Sequence, residues 1–192
     1  MRTRVFKLLL VVAALLSLAP AQAAPLGITS ETAIGVNFGY QYQPVSIVSI
    51  VSLGASFETP FNVVPFIDTS VVAKAGVSFA GGVDAGATVK AVLFPSLSGG
   101  LFAAGLWLDV SAYSLGSSVS TFKIGLGPMI TINLEPAYLT FSASLLALTN
   151  GVFGFDLGIA GRVYIDVFAL DLSVDYNTVG WARANFGLRF TL

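Results

Sequence analysis

The sequence predicts an all-β fold, a closed antiparallel transmembrane β-barrel of about ten strands, with eight as the alternative count. Three observations lead to this fold class. The 192-residue chain is 55% hydrophobic and only 10% charged, whereas a soluble domain carries about 25% charged residues. Polar and apolar residues alternate along most of the chain, and most of its charges fall on one phase of that alternation. An apolar exterior around a polar, self-neutralising interior is typical of transmembrane barrels.

The first 23 residues have the organisation of a secretory signal peptide. Three basic residues precede an apolar run from Leu8 to Leu18, and Ala21-Gln22-Ala23 forms a small-x-small cleavage site. The run is too short for a membrane-spanning helix, which needs about 20 residues. We therefore expect residues 1–23 to be cleaved and residues 24–192 to form the barrel, with a net charge of −4.

The alternation defines the predicted strands. From residue 33 to residue 42, the even positions carry large apolar or aromatic side chains and the odd positions carry small or polar ones. Residues 67–79, 83–93 and 182–192 repeat this pattern, which places the two sets on opposite faces of a strand. Turn signals such as Asn150-Gly151 separate the segments. The ten predicted strands are residues 32–43, 45–57, 65–79, 83–93, 101–113, 120–132, 138–148, 152–162, 167–176 and 181–192.

The charges indicate which face is the interior. Six acidic and six basic residues share the small, polar phase, which is otherwise rich in Gly, Ala and Ser, and Trp107 lies on the same phase. A soluble sandwich or lipocalin-like barrel would instead present Lys, Glu and Thr to water, so the transmembrane barrel is favoured over it. The remaining acids are assigned to strand ends or turns: Glu31, Glu58, Glu135 and Asp166. The predicted lumen-lining residues are Asp68, Lys74, Asp84, Lys90, Trp107, Asp109, Lys123, Asp156, Arg162, Asp171, Asp175, Arg183 and Arg189, and their charges are expected to pair across neighbouring strands.

The last eight residues carry a family resemblance. Asn185 is polar, Gly187 follows two positions later, and Phe190 and Leu192 are alternating hydrophobic residues that end the chain. This arrangement resembles the assembly signal of bacterial outer-membrane β-barrel proteins, whose most typical terminal residue is Phe. By length the chain is similar to the small, porin-like members with eight to ten strands. The resemblance implies periplasmic chaperones and the barrel-assembly machinery as partners during biogenesis, and a final location in the lipid of the outer membrane, within the cell envelope.

The composition argues against an enzyme. The chain has no Cys and no His, which removes thiolate sites, the usual general base and the commonest metal ligand. Asp171 and Asp175 would lie about 13 Å apart along one strand face, farther than the roughly 5–9.5 Å of a glycosidase pair. The glycines around Gly125 and Gly127 lack the Lys-Ser/Thr and the helix of a phosphate loop. We predict no catalytic residues, no cofactor and no metal.

The remaining functions are a structural or narrow-channel outer-membrane barrel, with a surface binding or adhesion barrel as the alternative and a membrane-embedded enzyme less favoured. No basic cluster is present outside the first 23 residues, so a nucleic acid is not an expected partner. If the N terminus lies in the periplasm, the longest connections, Glu58–Val64 and Phe94–Gly100, lie there too, although outer-membrane barrels usually show the reverse. Either one strand is miscounted or the barrel lacks surface loops. The oligomeric state is left open.

Overall fold

The computed structural model describes residues 32–43, 48–61, 67–79, 82–94, 101–115, 119–149 and 151–192. Ten strands form a closed antiparallel barrel in which each strand pairs with its neighbours in sequence and the first pairs with the last. The strands are β1 Ala33–Gln43, β2 Val48–Pro60, β3 Asp68–Ser78, β4 Gly82–Phe94, β5 Phe102–Leu115, β6 Val119–Leu134, β7 Ala137–Leu148, β8 Phe153–Ile165, β9 Phe168–Asn177 and β10 Trp181–Thr191. Within the described ranges, no helix is long and apolar enough to cross a membrane.

The predicted fold class and the strand count of ten are confirmed. The difference between predicted and observed strand bounds that affects the lumen is at the end of β2, which continues to Pro60 rather than stopping at residue 57. Proline lacks a backbone N–H and is tolerated at a strand end, which is where Pro60 lies in β2. The longer strand places Glu58, which was predicted at a strand end or turn, within the barrel wall opposite Ala33 of β1.

The two faces of the barrel differ sharply in polarity, as β9 shows. Alternate residues of β9 from Ala169 to Asn177 are buried, whereas Leu172, Val174 and Tyr176 are 49–59% exposed. The same division holds around the barrel, where the exposed large hydrophobic residues are Phe, Leu, Ile, Val and Tyr side chains on the outward phase. An apolar surface of this extent is not found on soluble monomers. The exterior is therefore suited to lipid.

The connections are short at both ends of the barrel. The terminal end, as we call it, holds the start of β1, the end of β10 and the connections that follow β2, β4, β6 and β8. The connections at residues 61–67 and 95–101 span seven residues each, and every other connection spans two to four. Because the strand count is ten, a miscounted strand does not explain the longer connections on the side of the termini. The barrel instead lacks long loops at its opposite end.

A glycine brings β6 unusually close to β7. The pairing of these strands has no regular partners between Leu126 and Met129, where Pro128 cannot donate a backbone hydrogen bond. A Cβ atom added to Gly127 would overlap the carbonyl oxygen of Ala143 and the Cα of Ser144. The absence of a side chain at Gly127 therefore permits this contact between backbones.

We expect Gly127→Ala to destabilise the barrel by about 1–3 kcal/mol, because the added methyl group forces β6 away from β7. Gly161→Ala is the matched control, since the nearest heavy atom to a Cβ there is the carbonyl oxygen of Tyr138 at 3.9 Å. Urea unfolding of the detergent-refolded protein measures both variants. Equal unfolding midpoints for the two variants would contradict the close approach.

Candidate functional site in the barrel lumen

The structure places most of the sequence-predicted site residues inside the barrel. Lys74 and Arg183 keep only 8% and 11% of their side-chain surface accessible. The side chains of Asp68 and Asp84 lie outside the described part of the structure, although their backbones pair within β3 and β4. The residues that are buried on the inward phase are Lys90, Trp107, Asp109, Lys123, Asp156, Arg162, Asp171, Asp175 and Arg189. Whether these residues line a transport pathway stays a prediction.

Five charged residues from five strands meet near the terminal end. We call them the terminal cluster: Glu58, Lys90, Arg162, Asp171 and Arg189. Glu58 has no accessible surface and binds three cations. Nζ of Lys90 lies 2.5 Å from Oε1 of Glu58, and Nη2 of Arg162 lies 3.3 Å from Oε2. Arg189 donates from Nη1 to the same Oε2. One carboxylate thus joins β2 to β4, β8 and β10.

Asp171 fixes the two arginines of the terminal cluster independently of Glu58. Arg162 donates from Nε to Oδ1 of Asp171 at 2.7 Å and from Nη2 to Oδ2 at 3.0 Å. This is the bidentate geometry that makes Arg–carboxylate pairs strong. Arg189 donates from Nε to Oδ2 at 3.2 Å. The hydroxyl of Tyr164 accepts a further bond from Arg162 at 3.4 Å, so the guanidinium of Arg162 is held on several sides.

A second group of charges extends from the middle of the barrel toward the end opposite the termini. We call it the central cluster: Lys74, Asp109, Lys123, Asp156, Asp175 and Arg183. Nζ of Lys74 lies 2.7 Å from Oδ1 of Asp109, and Nζ of Lys123 lies 2.5 Å from Oδ2 of Asp156. Nη1 of Arg183 lies 3.7 Å from Oδ2 of Asp175, and its Nε donates to Gln41 at 3.1 Å. The hydroxyl of Thr88 donates to Asp109 at 2.7 Å.

The arginine pairs follow the predicted pattern of neighbouring strands. Arg162 and Asp171 lie directly opposite each other on β8 and β9, and Arg183 and Asp175 do so on β10 and β9. Arg189 reaches the diagonal position on β9, where Asp171 lies two residues from its direct partner, Ala169. The prediction of pairing across neighbouring strands is right for these contacts.

The described ion pairs of the lysines instead join residues two strands apart, which the prediction did not include. Lys74 on β3 reaches Asp109 on β5, Lys123 on β6 reaches Asp156 on β8, and Lys90 on β4 reaches Glu58 on β2. The inward curvature of a closed barrel shortens the distance between side chains of alternate strands. A long lysine side chain can therefore reach across the strand between them. Lys74 does so across β4, where the residue directly opposite it is Gly86.

Glu58 is the residue that sequence reasoning missed. It shares its phase with Ser52, Gly54 and Ser56, all of which are buried on the inner face of β2. Continuing that alternation to Pro60 would have placed Glu58 in the lumen, since proline is tolerated at a strand end. The phase of the strand was therefore the available signal.

Apolar side chains and small polar groups fill the lumen between the charges. Trp107 and Met129 are buried against each other, with Ala103 beside them. The indole lies over the glycines of β6, where its Cη2 is 3.8 Å from the position that a Cβ of Gly125 would take. Trp107 thus occupies interior space, as its phase predicted.

Four buried oxygen atoms of the lumen have no hydrogen-bond partner within the described residues. They are Oδ1 of Asp156, Oδ1 of Asp175, Oγ of Ser144 and Oγ of Ser70. Ser144 lies directly opposite Asp156 across β7 and β8. A buried polar atom without a protein partner is a place where water or an ion binds. The lumen therefore retains polar groups that can bind water or a small ion.

The described residues do not provide a recognisable catalytic or metal centre. No group of three or more His, Cys, Asp or Glu side chains within those ranges could hold a metal ion. Asp171 already accepts hydrogen bonds from two guanidinium groups, which leaves its carboxylate poorly suited to acid–base work. The predicted absence of enzyme activity, of a cofactor and of a metal remains a prediction.

Solved structures with a similar architecture are outer-membrane or designed barrels. An outer-membrane channel from Pseudomonas putida F1 has a TM-score of 0.50 and 11% identity, with 90% of this chain and 99% of that chain covered. The KdgM porin in complex with disordered oligogalacturonate has a TM-score of 0.46 and 7% identity, with 83% and 99% covered. A de novo designed transmembrane β-barrel has a TM-score of 0.41 and 12% identity, with 88% and 100% covered.

These likenesses concern the fold. At 11% identity, the Pseudomonas channel shows that the chain has the architecture of outer-membrane barrels, as the resemblance at the C terminus implied. No family model and no curated protein matches the sequence.

The buried Lys123–Asp156 pair provides a test of the central cluster. Lys123→Met leaves the Asp156 carboxylate buried without its cation and is expected to destabilise the barrel by about 3–5 kcal/mol. The double variant Lys123→Met/Asp156→Leu should recover most of that loss, because both members of the buried pair are then removed. Urea unfolding of the refolded protein measures the free energy of unfolding. A double variant no more stable than Lys123→Met would show that the pair does not exist.

Proposed function

We propose that this chain is an integral protein of the bacterial outer membrane and that its lumen is a narrow pathway for ions or small solutes. Ion pairs and apolar side chains hold the pathway closed in the described conformation. One observation carries the proposal: every described charged side chain of the ten strands points into the lumen, while the exterior is apolar. The barrel therefore has a polar interior within a surface suited to lipid.

A polar lumen favours passage over a purely structural role. A buried ion pair stabilises a protein no more than well-packed apolar residues of similar volume, so stability alone does not require these charges. The free oxygens of Asp156, Asp175 and Ser144 could bind water or an ion on its way through. Barrels of eight strands are filled by side chains, and open aqueous pores have about sixteen strands. Ten strands are consistent with a constricted pathway.

The outer-membrane location is supported by three features of the chain. The exterior is apolar, the last eight residues carry the assembly-signal residues Asn185, Gly187, Phe190 and Leu192, and the leader at residues 1–23 has the pattern of an export signal. The leader lies outside the described residues and remains a prediction. The lipid contacts and the encounters with periplasmic chaperones and the assembly machinery are part of the proposal.

The alternatives are less well supported by the geometry. An adhesion or binding barrel needs extended surface loops, and no connection between strands exceeds seven residues. An enzyme needs a reactive group with a base, and the sequence has neither His nor Cys. The lumen is the feature of the molecule best suited to a function.

Planar-bilayer recordings test the channel. We expect small, infrequent single-channel steps from the wild type and several-fold larger or more frequent steps from Lys74→Ser/Asp109→Ser, because two small side chains replace one lumen-spanning ion pair. Val89→Ala is the matched control, since Val89 is exposed on the outer face of β4. An absence of steps at any voltage from both the wild type and the double variant would leave only a structural role.

Deletion of residues 190–192 tests the membrane location. Phe190 pairs with Ile34 of β1, and the backbone N–H of Leu192 donates to the carbonyl of Thr32 at 2.9 Å. Without them β1 loses part of its partner, and an unpaired backbone is costly in lipid. We expect the truncated chain to remain in the periplasm and to be sensitive to protease.

Membrane fractionation and heat-modifiable migration measure this outcome. Leu192→Phe is the control, because it restores the typical terminal residue of the assembly signal and should insert at least as well as the wild type. Normal insertion of the truncated chain would contradict both the seam between β1 and β10 and the assembly signal.

A further inference from the structure

We infer that the terminal cluster is a binding site for a small oxyanion, a carboxylate or a phosphate, and that Glu58 occupies this site as an internal ligand. The inference rests on the proposed function, since an oxyanion reaches the cluster only through the lumen. It adds the chemical class of solute that the terminal end of the pathway recognises.

The first step is the convergence of three cations on one carboxylate. Lys90 holds Oε1 of Glu58, while Arg162 and Arg189 both hold Oε2. Guanidinium groups match the planar, two-oxygen geometry of a carboxylate and the oxygens of a phosphate, and a lysine supplies a compact point charge. The carboxylate of Glu58 therefore stands where a carboxylate or phosphate of a solute would make the same contacts.

The second step is that Arg162 and Arg189 do not need Glu58 to keep their orientation. Asp171 binds Arg162 through two hydrogen bonds and Arg189 through one. Tyr164 accepts another from Arg162. Groups that are positioned by their own partners form a binding site in advance of the ligand. The arginines thus keep their orientation when the Glu58 carboxylate is absent.

The third step concerns charge and access. Among the described residues, Glu58 is the one carboxylate that contacts all three cations of the terminal cluster. Removing its negative charge from a buried cluster is costly, and an oxyanion in its place compensates the loss. Glu58 lies two residues before the end of β2 at Pro60, a distance of about 7 Å at the rise of a strand. The site is therefore close to the mouth of the barrel at its terminal end.

The experiment replaces the internal ligand and supplies an external one. Glu58→Ala opens space for an oxyanion, and Glu58→Gln keeps the side-chain shape without the charge. The refolded barrel is heated in inorganic phosphate, in acetate, or in chloride of the same ionic strength. Loss of heat-modifiable migration gives the melting temperature of each sample. A ligand that binds only the folded state raises this temperature as its concentration rises.

We expect phosphate or acetate, but not chloride, to raise the melting temperature of Glu58→Ala. The wild type should need at least about tenfold more oxyanion for the same shift, because its own carboxylate competes for the site. Asp109→Ala is the matched control: it removes a buried carboxylate from the central cluster, whose ion pair among the described residues is with one cation, Lys74. It should respond to the oxyanions no more than to chloride. Adding Arg189→Met to Glu58→Ala should abolish the response.

The outcomes separate the inference from the proposed function. A response to acetate only, or to phosphate only, identifies which oxyanion the site takes. Equal responses of Glu58→Ala to oxyanion and chloride would overturn the inference, as would failure of both Glu58 variants to refold in any of these anions. Refolding of Glu58→Ala only when an oxyanion is present would support it. The melting temperature does not depend on conductance. A barrel that binds phosphate but does not conduct would support the oxyanion site and contradict the channel. A barrel that conducts but shows no oxyanion response would support the channel and contradict the site.

Discussion

The pairing of β1 with β10 is the interaction on which the rest of the structure depends. Ten register pairs, from Ala33 with Thr191 to Tyr42 with Ala182, close the sheet. In lipid an unpaired strand edge is not tolerated, because no water is present to satisfy its N–H and C=O groups. Closure also separates each strand into an outward and an inward set of residues. The phase of a strand therefore decides which of its side chains meet lipid and which meet the lumen, and the terminal cluster reinforces the seam because Arg189 on β10 reaches over β1 to Glu58 on β2.

Burying so many charges is possible because they are paired within two separate clusters. Among the described side chains, the terminal cluster shares two carboxylates among three cations, and the central cluster sets three carboxylates against three cations. Each pair offsets part of the desolvation of its members, whereas removal of a single partner leaves a buried charge uncompensated. The lumen is thus closed by ion pairs, and an entering ion or water molecule can replace one partner of a pair. An apolar filling of the same volume would offer no such partners.

Most of the fold could be predicted from the sequence because a period of two is a local property. All ten strands and the inward phase of the charged residues follow from it, and the bounds shift by only a few residues. Glu58 was missed because the alternation was followed only to residue 57 and Glu58–Val64 was assigned to a connection. The lysine contacts could not be found, since pairing across an intervening strand depends on the curvature of the closed barrel. Register alone relates a residue only to its immediate neighbours, such as Lys74 to Gly86 rather than to Asp109.

The difference between the two clusters gives the proposed pathway a direction. The terminal cluster lies near the mouth that carries both chain ends, and three of its cations converge on the carboxylate of Glu58. The central cluster extends from there toward the opposite end, and its described ion pairs each join one cation to one carboxylate. A solute entering from the terminal end would therefore meet the converging cations before it meets the separate pairs. In the described conformation Glu58 satisfies the terminal cluster and closes it at the same time. Binding of a solute oxyanion and closure by Glu58 would thus compete for the same three cations at this end.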